Sequence, residues 1–145
     1  FMATQFSDIY ERAIFRFADY DILKHDIETR EGILEHYLIS AKTDFQRICK
    51  RNISEYDPVL KQFNEDLDDE IIEILALGVS YYWLSYKALD SKALKNMLNS
   101  KDYYYYSPAN LLKEVQTLRK TLRNEFHGRM RAYSYYDNTI GTLRN

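Results

Sequence analysis

Cysteine occurs once in these 145 residues, proline twice, glycine four times and tryptophan once. The lone Cys49 has no partner for an intramolecular disulfide, and no charged, apolar and small-residue leader pattern opens the chain, so a reducing cytoplasm is expected. Asn52-Ile53-Ser54 is then a glycosylation match without meaning. Scarce glycine and proline suit long helices with short connections. A chain of this length buries about 68–70% of its unfolded surface, enough for one domain without staples. Long apolar stretches are missing as well. The uncharged run over residues 74–86 is 13 residues long, against the roughly 18 or more of a membrane span, so it reads as core helix and no membrane is implied.

Catalytic signatures are also lacking. There is no Gly-rich phosphate loop, no G-x-S-x-G elbow, no H-E-x-x-H and no cysteine–histidine metal spacing among His25, His36, His127 and Cys49. Asn64, Asp66 and Asp68 match three positions of a calcium loop, but Asp69 stands where glycine is needed and Leu75 where the closing glutamate belongs. Arg123-Asn124-Glu125-Phe126-His127 is similar to the arginine-to-histidine motif of small helical ribonucleases, yet its histidine comes at least one residue early. The reading is no enzyme, no metal and no cofactor.

Asp68 to Leu89 organises what is present. Apolar residues fall on every side of a helix drawn through residues 74–86, which predicts a central helix covered by neighbours all round. Phe6, Ile9, Tyr10, Ala13, Ile14 and Phe17 give a first helix capped by Ser7. Ile33, Leu34, Tyr37, Leu38, Ala41, Phe45 and Ile48 give a second, capped by Thr29 and ending near Lys50-Arg51. Residues 52–67 read as a connection with one short turn. Ser91 caps a short helix over residues 92–98. Ser107-Pro108 starts a long last helix, with proline in the first position where its missing N–H costs nothing. Its stripe is Leu111, Val115, Leu118, Leu122, Phe126, Met130 and Tyr133. The expected fold is all-α: a compact bundle of about four main helices around the buried central one. The domain spans residues 2–136, and 137–145 form a short, irregular and flexible tail. Residues 134–145 and parts of 99–106 are expected to be the mobile segments.

The formal net charge of −2 conceals a division. Residues 1–73 carry 17 acidic and 9 basic groups (−8), and residues 74–145 carry 5 and 11 (+6). Such asymmetry points to a nucleic-acid surface or to head-to-tail contact between copies. Glu65, Asp66, Asp68, Asp69, Glu70 and Glu73 gather at the start of the central helix, where carboxylates cap free N–H groups and meet the helix dipole for about 0.3–1 kcal/mol each. Two or three are explained by that. Arg119, Arg123, His127 and Arg131 recur every four residues, with Lys120 and Arg129 beside them and Glu125 able to pair with Arg129. Like charges at this spacing disfavour an isolated helix by about 0.2–0.5 kcal/mol per pair, so a negative surface over the row would explain it. The alternative is Arg stems covering apolar surface with their heads in water. Among 14 tyrosines, Tyr103, Tyr104, Tyr105 and Tyr106 are consecutive and cannot all face one core. Protein contact fits them better than base stacking, since no sheet platform is present.

Phe63-Asn64-x-Asp66-Leu67-x3-Ile71-x2-Ile74-Leu75-Ala76, then Trp83-Leu84, then Lys101-Asp102-Tyr103-x2-Tyr106-Ser107-x-Ala109-Asn110-x-Leu112 resemble a pattern of tailed-phage head-to-tail connector proteins, the small helical neck or adaptor subunits. The similarity covers roughly residues 30 to 136, more specifically in the second half, and its motif residues are mostly core and capping positions. The resemblance implies a virion structural protein of the phage neck, present in the host cytoplasm during assembly. It implies a closed ring of copies below the portal protein, joined to the next neck or tail-completion protein and surrounding the packaged DNA. It also implies that a monomer in solution is no contradiction. A ring needs heterologous faces. Glu65, Asp69, Glu70 and Glu73 of one copy are expected to meet Arg119, Arg123 and Arg131 of the next, with Lys120 and the four consecutive tyrosines completing the contact surface. The competing expectation is a small helical nucleic-acid-binding module that uses the same basic face.

Overall fold

Helix α3, Asp69–Leu89, occupies the centre of the molecule, and α1 (Phe6–Phe17), α2 (Ile27–Phe45) and α4 (Pro108–Arg144) each pack against it. The computed structural model describes residues 3–17, 26–89 and 108–144. Ile71, Ile74, Leu75, Ala76, Leu77 and Val79 are all essentially sealed from solvent, so the middle of α3 has no exposed side. The fold is all-α as expected, with one small hairpin, β1 (Tyr56–Asp57) and β2 (Gln62–Phe63), between α2 and α3. Arg12 reaches Asp69 and Arg16 reaches Glu73, four residues on in both helices, so α1 runs parallel to α3. The Tyr37–Tyr86 ring pair and the approach of Ala41 to Gly78 set α2 antiparallel to α3. Phe126 beside Gly78 and Arg119 bonded to Ser85 do the same for α4.

Gly78 is where α2, α3 and α4 converge. A Cβ added there would lie 2.6 Å from Ala41 Cβ and 2.8 Å from Phe126 Cζ. Both neighbours are fully buried, so neither can move aside without disturbing a close-packed interior. Glycine in mid-helix forfeits about 0.5–1 kcal/mol against alanine, a cost offset by the closer approach of two helices.

Several element ends differ from expectation. Asp26, not Thr29, caps α2: its side chain accepts the Thr29 backbone N–H at 3.2 Å, so Thr29 is inside the first turn. Ser7 likewise lies within α1, because Gln5 is held in extended backbone by its bridge to Gln62 and the helix can begin only after it. α2 stops at Phe45, short of Lys50-Arg51, and the chain turns away where the Lys50 N–H donates to Tyr133 Oη at 3.3 Å. Ile48 is thereby left at the rim. On α4 the buried seam is Val115, Phe126, Met130 and Tyr133 with Leu122 half-covered, while Leu118 is 51% exposed. Arg119 takes the seam position instead. The helix continues to Arg144 despite lacking an apolar pattern there, since no proline after Pro108 interrupts its ladder. The side chain of Leu111, the short helix expected at 92–98 and the mobility expected in parts of 99–106 lie outside the described residues.

The hairpin replaces the expected single turn. Asp57 Oδ1 accepts from the Val59 and Leu60 N–H groups at 2.9 and 3.0 Å, an Asx turn that folds the tip back. Lys61 adopts a positive φ of 56°, its N–H bonded to Asp57 O at 2.9 Å. The residues before α1 pair alongside: Phe6 N–H donates to Lys61 O, Phe63 N–H to Thr4 O and Thr4 N–H to Glu65 O. Phe6 then meets Phe63 edge to face, with centroids 5.0 Å apart, and Tyr56 at a tilt, with centroids 5.6 Å apart. Lys42 is also buried here, its ammonium bonded to Gln46 Oε1 at 3.3 Å and 5.2 Å from the Tyr56 ring centre. Burial pulls its pKa below the ordinary lysine value.

Replacing Gly78 by alanine is expected to destabilise the fold by about 1–3 kcal/mol through overpacking, although alanine is the better helix former. Urea denaturation of Gly78→Ala checks this, and an unchanged or raised midpoint would contradict the crossing described here.

Candidate subunit interface

The carboxylates at the start of α3 divide into those used inside the chain and those left facing water. Asp68 caps the helix, its Oδ1 accepting the Ile71 N–H at 3.0 Å. Glu65 Oε2 accepts the Asn52 N–H at 3.2 Å. Glu73 is clamped between Arg16 at 2.6 Å and Arg12 at 2.8 Å, and Arg12 also reaches Asp69 at 2.9 Å. The Arg16 hydrogen bond, with that of Arg12, holds the Glu73 carboxyl below the usual glutamate range even though partial burial opposes the shift. Glu65 and Glu73, expected to face a neighbouring copy, are therefore already engaged within their own subunit. Asp69 keeps 88% of its side chain in solvent despite its partner. A concavity of about 380 Å³ between the starts of α1 and α3 is lined by Asp8, Glu11, Asp66 and Asp69 around Arg12. Another of about 370 Å³ between α3 and α4 presents Asp69, Glu70 and Glu73 with Arg129.

Arg119 leaves the expected basic row. Four-residue steps on a helix of 3.6 residues per turn drift by about 40° each, so four such residues cannot share one face. Arg119 turns toward α3, where Nε–H donates to Ser85 Oγ at 2.9 Å and the guanidinium lies 5.9 Å from the Tyr81 ring centre. Lys120, Arg123, His127 and Arg131 are exposed on the flank next to α2. Glu125 and Arg129 pair at 3.5 Å on the other flank, as their spacing allows.

Arg47, in the turn just after α2, joins the exposed cations. With His127 and Arg131 it lines a concavity of about 320 Å³ between α2 and α4, floored by Ile48 and Met130. The carboxylate at its edge, Asp44, accepts the Tyr82 hydroxyl. Burial first, and Asp44 second, push the Tyr82 phenol above its ordinary pKa. Arg47 was not legible in the sequence, since it is off the apolar stripe of the second helix and nothing local sets it apart from other charged positions. The Arg12/Arg16 clamp did leave a signal, because Arg12 and Arg16 share the spacing of Asp69 and Glu73.

Tyr103, Tyr104, Tyr105 and Tyr106 lie outside the described residues. Of the other tyrosines, Tyr10 and Tyr133 are sealed in the core and Tyr86 and Tyr135 are exposed. Part of the tyrosine richness is thus core material, with Tyr133 against Phe45 at 5.2 Å. Among the described residues no His, Cys, Asp and Glu group could hold a metal ion, and no helix is long and apolar enough to cross a membrane.

A carboxyl whose folded pKa is depressed adds stability above its unfolded pKa, and that stability is lost as pH falls through the folded value. Glu73→Gln is expected to cost about 1 kcal/mol or less near neutral pH, since the clamp is partly exposed and screened. The difference from wild type should shrink as pH drops below about 4.5 and vanish below the depressed pKa. Unfolding midpoints across acid pH measure it; a pH-independent difference would show that the clamp is not the cause. Comparisons with family models, curated proteins and solved structures return no match to this chain.

Proposed function

We propose that this protein is a head-to-tail connector subunit of a tailed phage, assembling as a ring below the portal and joining capsid to tail around the DNA channel. The observation that carries the reading is the separation of charge onto different flanks of one helical bundle. Carboxylates left facing water gather between α1, α3 and the outer flank of α4. Arg47, His127 and Arg131 gather between α2 and α4. Two unlike faces on one subunit are what a closed ring needs, because each copy must offer one face to the copy before it and the other to the copy after. The connector-like motif supports the fold side of the reading. Phe63, Leu67, Ile71, Ile74, Leu75, Ala76, Trp83 and Leu84 are all buried.

The geometry also revises which residues would meet across the contact. Asp66, Asp69 and Glu70 replace Glu65 and Glu73 on the acidic side, and Arg47 replaces Arg119 beside Arg123 and Arg131 on the basic side. The same basic groove favours one rival, a nucleic-acid-binding module, in which phosphate takes the place of carboxylate.

The genes flanking the coding sequence test the reading first: portal and major capsid genes are expected beside it, and their absence would overturn the connector. In ring assembly on the cognate portal, Arg47→Glu with Arg131→Glu is expected to abolish ring closure, and Asp66→Lys with Asp69→Lys in a mixed population to restore it. Retention of the isolated monomer on DNA, falling steeply with salt and lost in Arg131→Glu, would instead favour the nucleic-acid module.

A further inference from the structure

The tip of the hairpin is an apolar projection with no cover among the described residues. Val59 is 84% exposed and Leu60 63%. Their backbone is nevertheless fixed, since Asp57 Oδ1 holds both N–H groups, Pro58 restricts the turn, and the Lys61 ammonium is anchored to Glu35 at 2.9 and 3.0 Å. A backbone already held in place loses little conformational entropy when the two aliphatic side chains it carries dock, which favours association.

The molecule also carries a groove of matching character. Thr29, Gly32, Ile33, His36, Tyr37 and Tyr86 line a concavity of about 550 Å³ between the first half of α2 and the end of α3. That volume lies within the range of about 300–1,000 Å³ typical of sites that take apolar groups. Gly32 opens it: a Cβ at this position would meet nothing within 4 Å.

Tip and groove belong to different flanks of α2. Thr29, Gly32, His36 and Thr43 follow at helical spacing, and Thr43 lines the basic notch together with Arg47 just past the helix, His127 and Arg131, so the flank that holds the groove leads into that notch. Glu28, Glu31 and Glu35 mark the opposite flank, where Glu35 anchors the hairpin. Thr4, whose carbonyl pairs with Phe63 of that hairpin, lines the acidic concavity of Asp8, Glu11, Asp66 and Asp69. One face therefore combines an apolar projection with negative charge, and the other an apolar hollow with positive charge.

We infer that the Val59–Leu60 tip of one copy seats in the Gly32–Tyr86 groove of a second copy, with the acidic concavity of the first meeting the Arg47–Arg131 notch of the second. The occupant is another copy of this chain because charge and shape match together across the two faces. The contact is heterologous, so it propagates from copy to copy until the rotation closes. It deepens the ring reading and rests on it for the closed form alone.

Gly32→Leu is the decisive variant. Its Cβ meets nothing within 4 Å, the rest of the side chain extends into the groove, and a helical glycine is replaced, so it should raise the urea midpoint while abolishing self-association, two effects that a folding defect cannot produce together. Concentrated full-length protein at low ionic strength is expected to self-associate by sedimentation velocity, and Val59→Asp with Leu60→Asp should remove the association. Chains carrying Leu60→Cys, mixed with chains carrying His36→Cys, should form a bismaleimide-linked pair that wild-type chains with only Cys49 do not. Self-association that survives Gly32→Leu, a protein that stays monomeric throughout, or crosslinks from position 36 confined to its own chain would overturn the inference. Filling of the groove by a small apolar molecule alone would overturn it too. Portal-bound rings without the crosslink would sink this contact and leave the connector standing; the crosslink without portal or capsid genes nearby would do the reverse.

Discussion

The close approach at Gly78 governs the arrangement of the whole bundle. Ala41 and Phe126 reach α3 on neighbouring sides of the same residue, so the spacing of α2 and of α4 from the central helix is set at one point. With that point fixed, the other layers fall into register. Tyr82 meets Asp44 of α2, Tyr133 of α4 reaches Phe45, Cys49 and Lys50, and Arg119 of α4 reaches Ser85. The basic notch exists because α2 and α4 are held near enough to share it. A larger residue at 78 would move Arg47 away from Arg131 before it altered either side chain.

Charge does two kinds of work here. The Arg12–Arg16 clamp on Asp69 and Glu73 consumes part of the acidic cluster in fastening α1 to α3, and half-exposed ion pairs of this kind contribute about 1 kcal/mol or less each. Asp66, Glu70 and most of Asp69 are left to set the field of one face, and Arg47, Arg123, His127 and Arg131 that of another. Fields of this sort guide encounter and orientation more than they supply affinity. Affinity must come from apolar burial, which is why the exposed hairpin tip and the open groove matter alongside the charges.

Much of the helical plan could be read from the chain. The uncharged middle of α3 announced burial on all faces, and Pro108 marked the start of α4. The first-half stripes of α1 and α2 also matched their buried residues. The hairpin escaped because each strand is two residues long and draws its pairing from Thr4 to Phe6, far away in sequence. Caps fell a few residues from expectation: Asp26 and Thr29 are both capable caps three residues apart and the chain uses the first, while Gln5 is held by its bridge to Gln62, a partner that local propensity does not see. On the interface side, spacing alone grouped Arg119 with Arg123 and Arg131. The steady drift of four-residue steps and the Ser85 hydroxyl separated them. Arg47 could be found only once α2 and α4 stood side by side.

The small extended segment before α1 has a consequence for how the chain is put together. The Thr4 hydroxyl accepts the Leu67 N–H at 2.7 Å across a separation of 63 residues, and Phe63 and Glu65 pair with the same segment. Closing a loop of that length costs entropy that grows as the logarithm of the residues enclosed. Contacts of α2 with the hairpin, Glu35 to Lys61 and Lys42 beside Tyr56, shorten the loop that remains to be closed. Docking of α1 is tied to the hairpin, because the segment that leads into it pairs with Lys61, Phe63 and Glu65. The acidic concavity, which Thr4 and Asp8 share with Asp66 and Asp69, is therefore complete only when both partners of that pairing are in place.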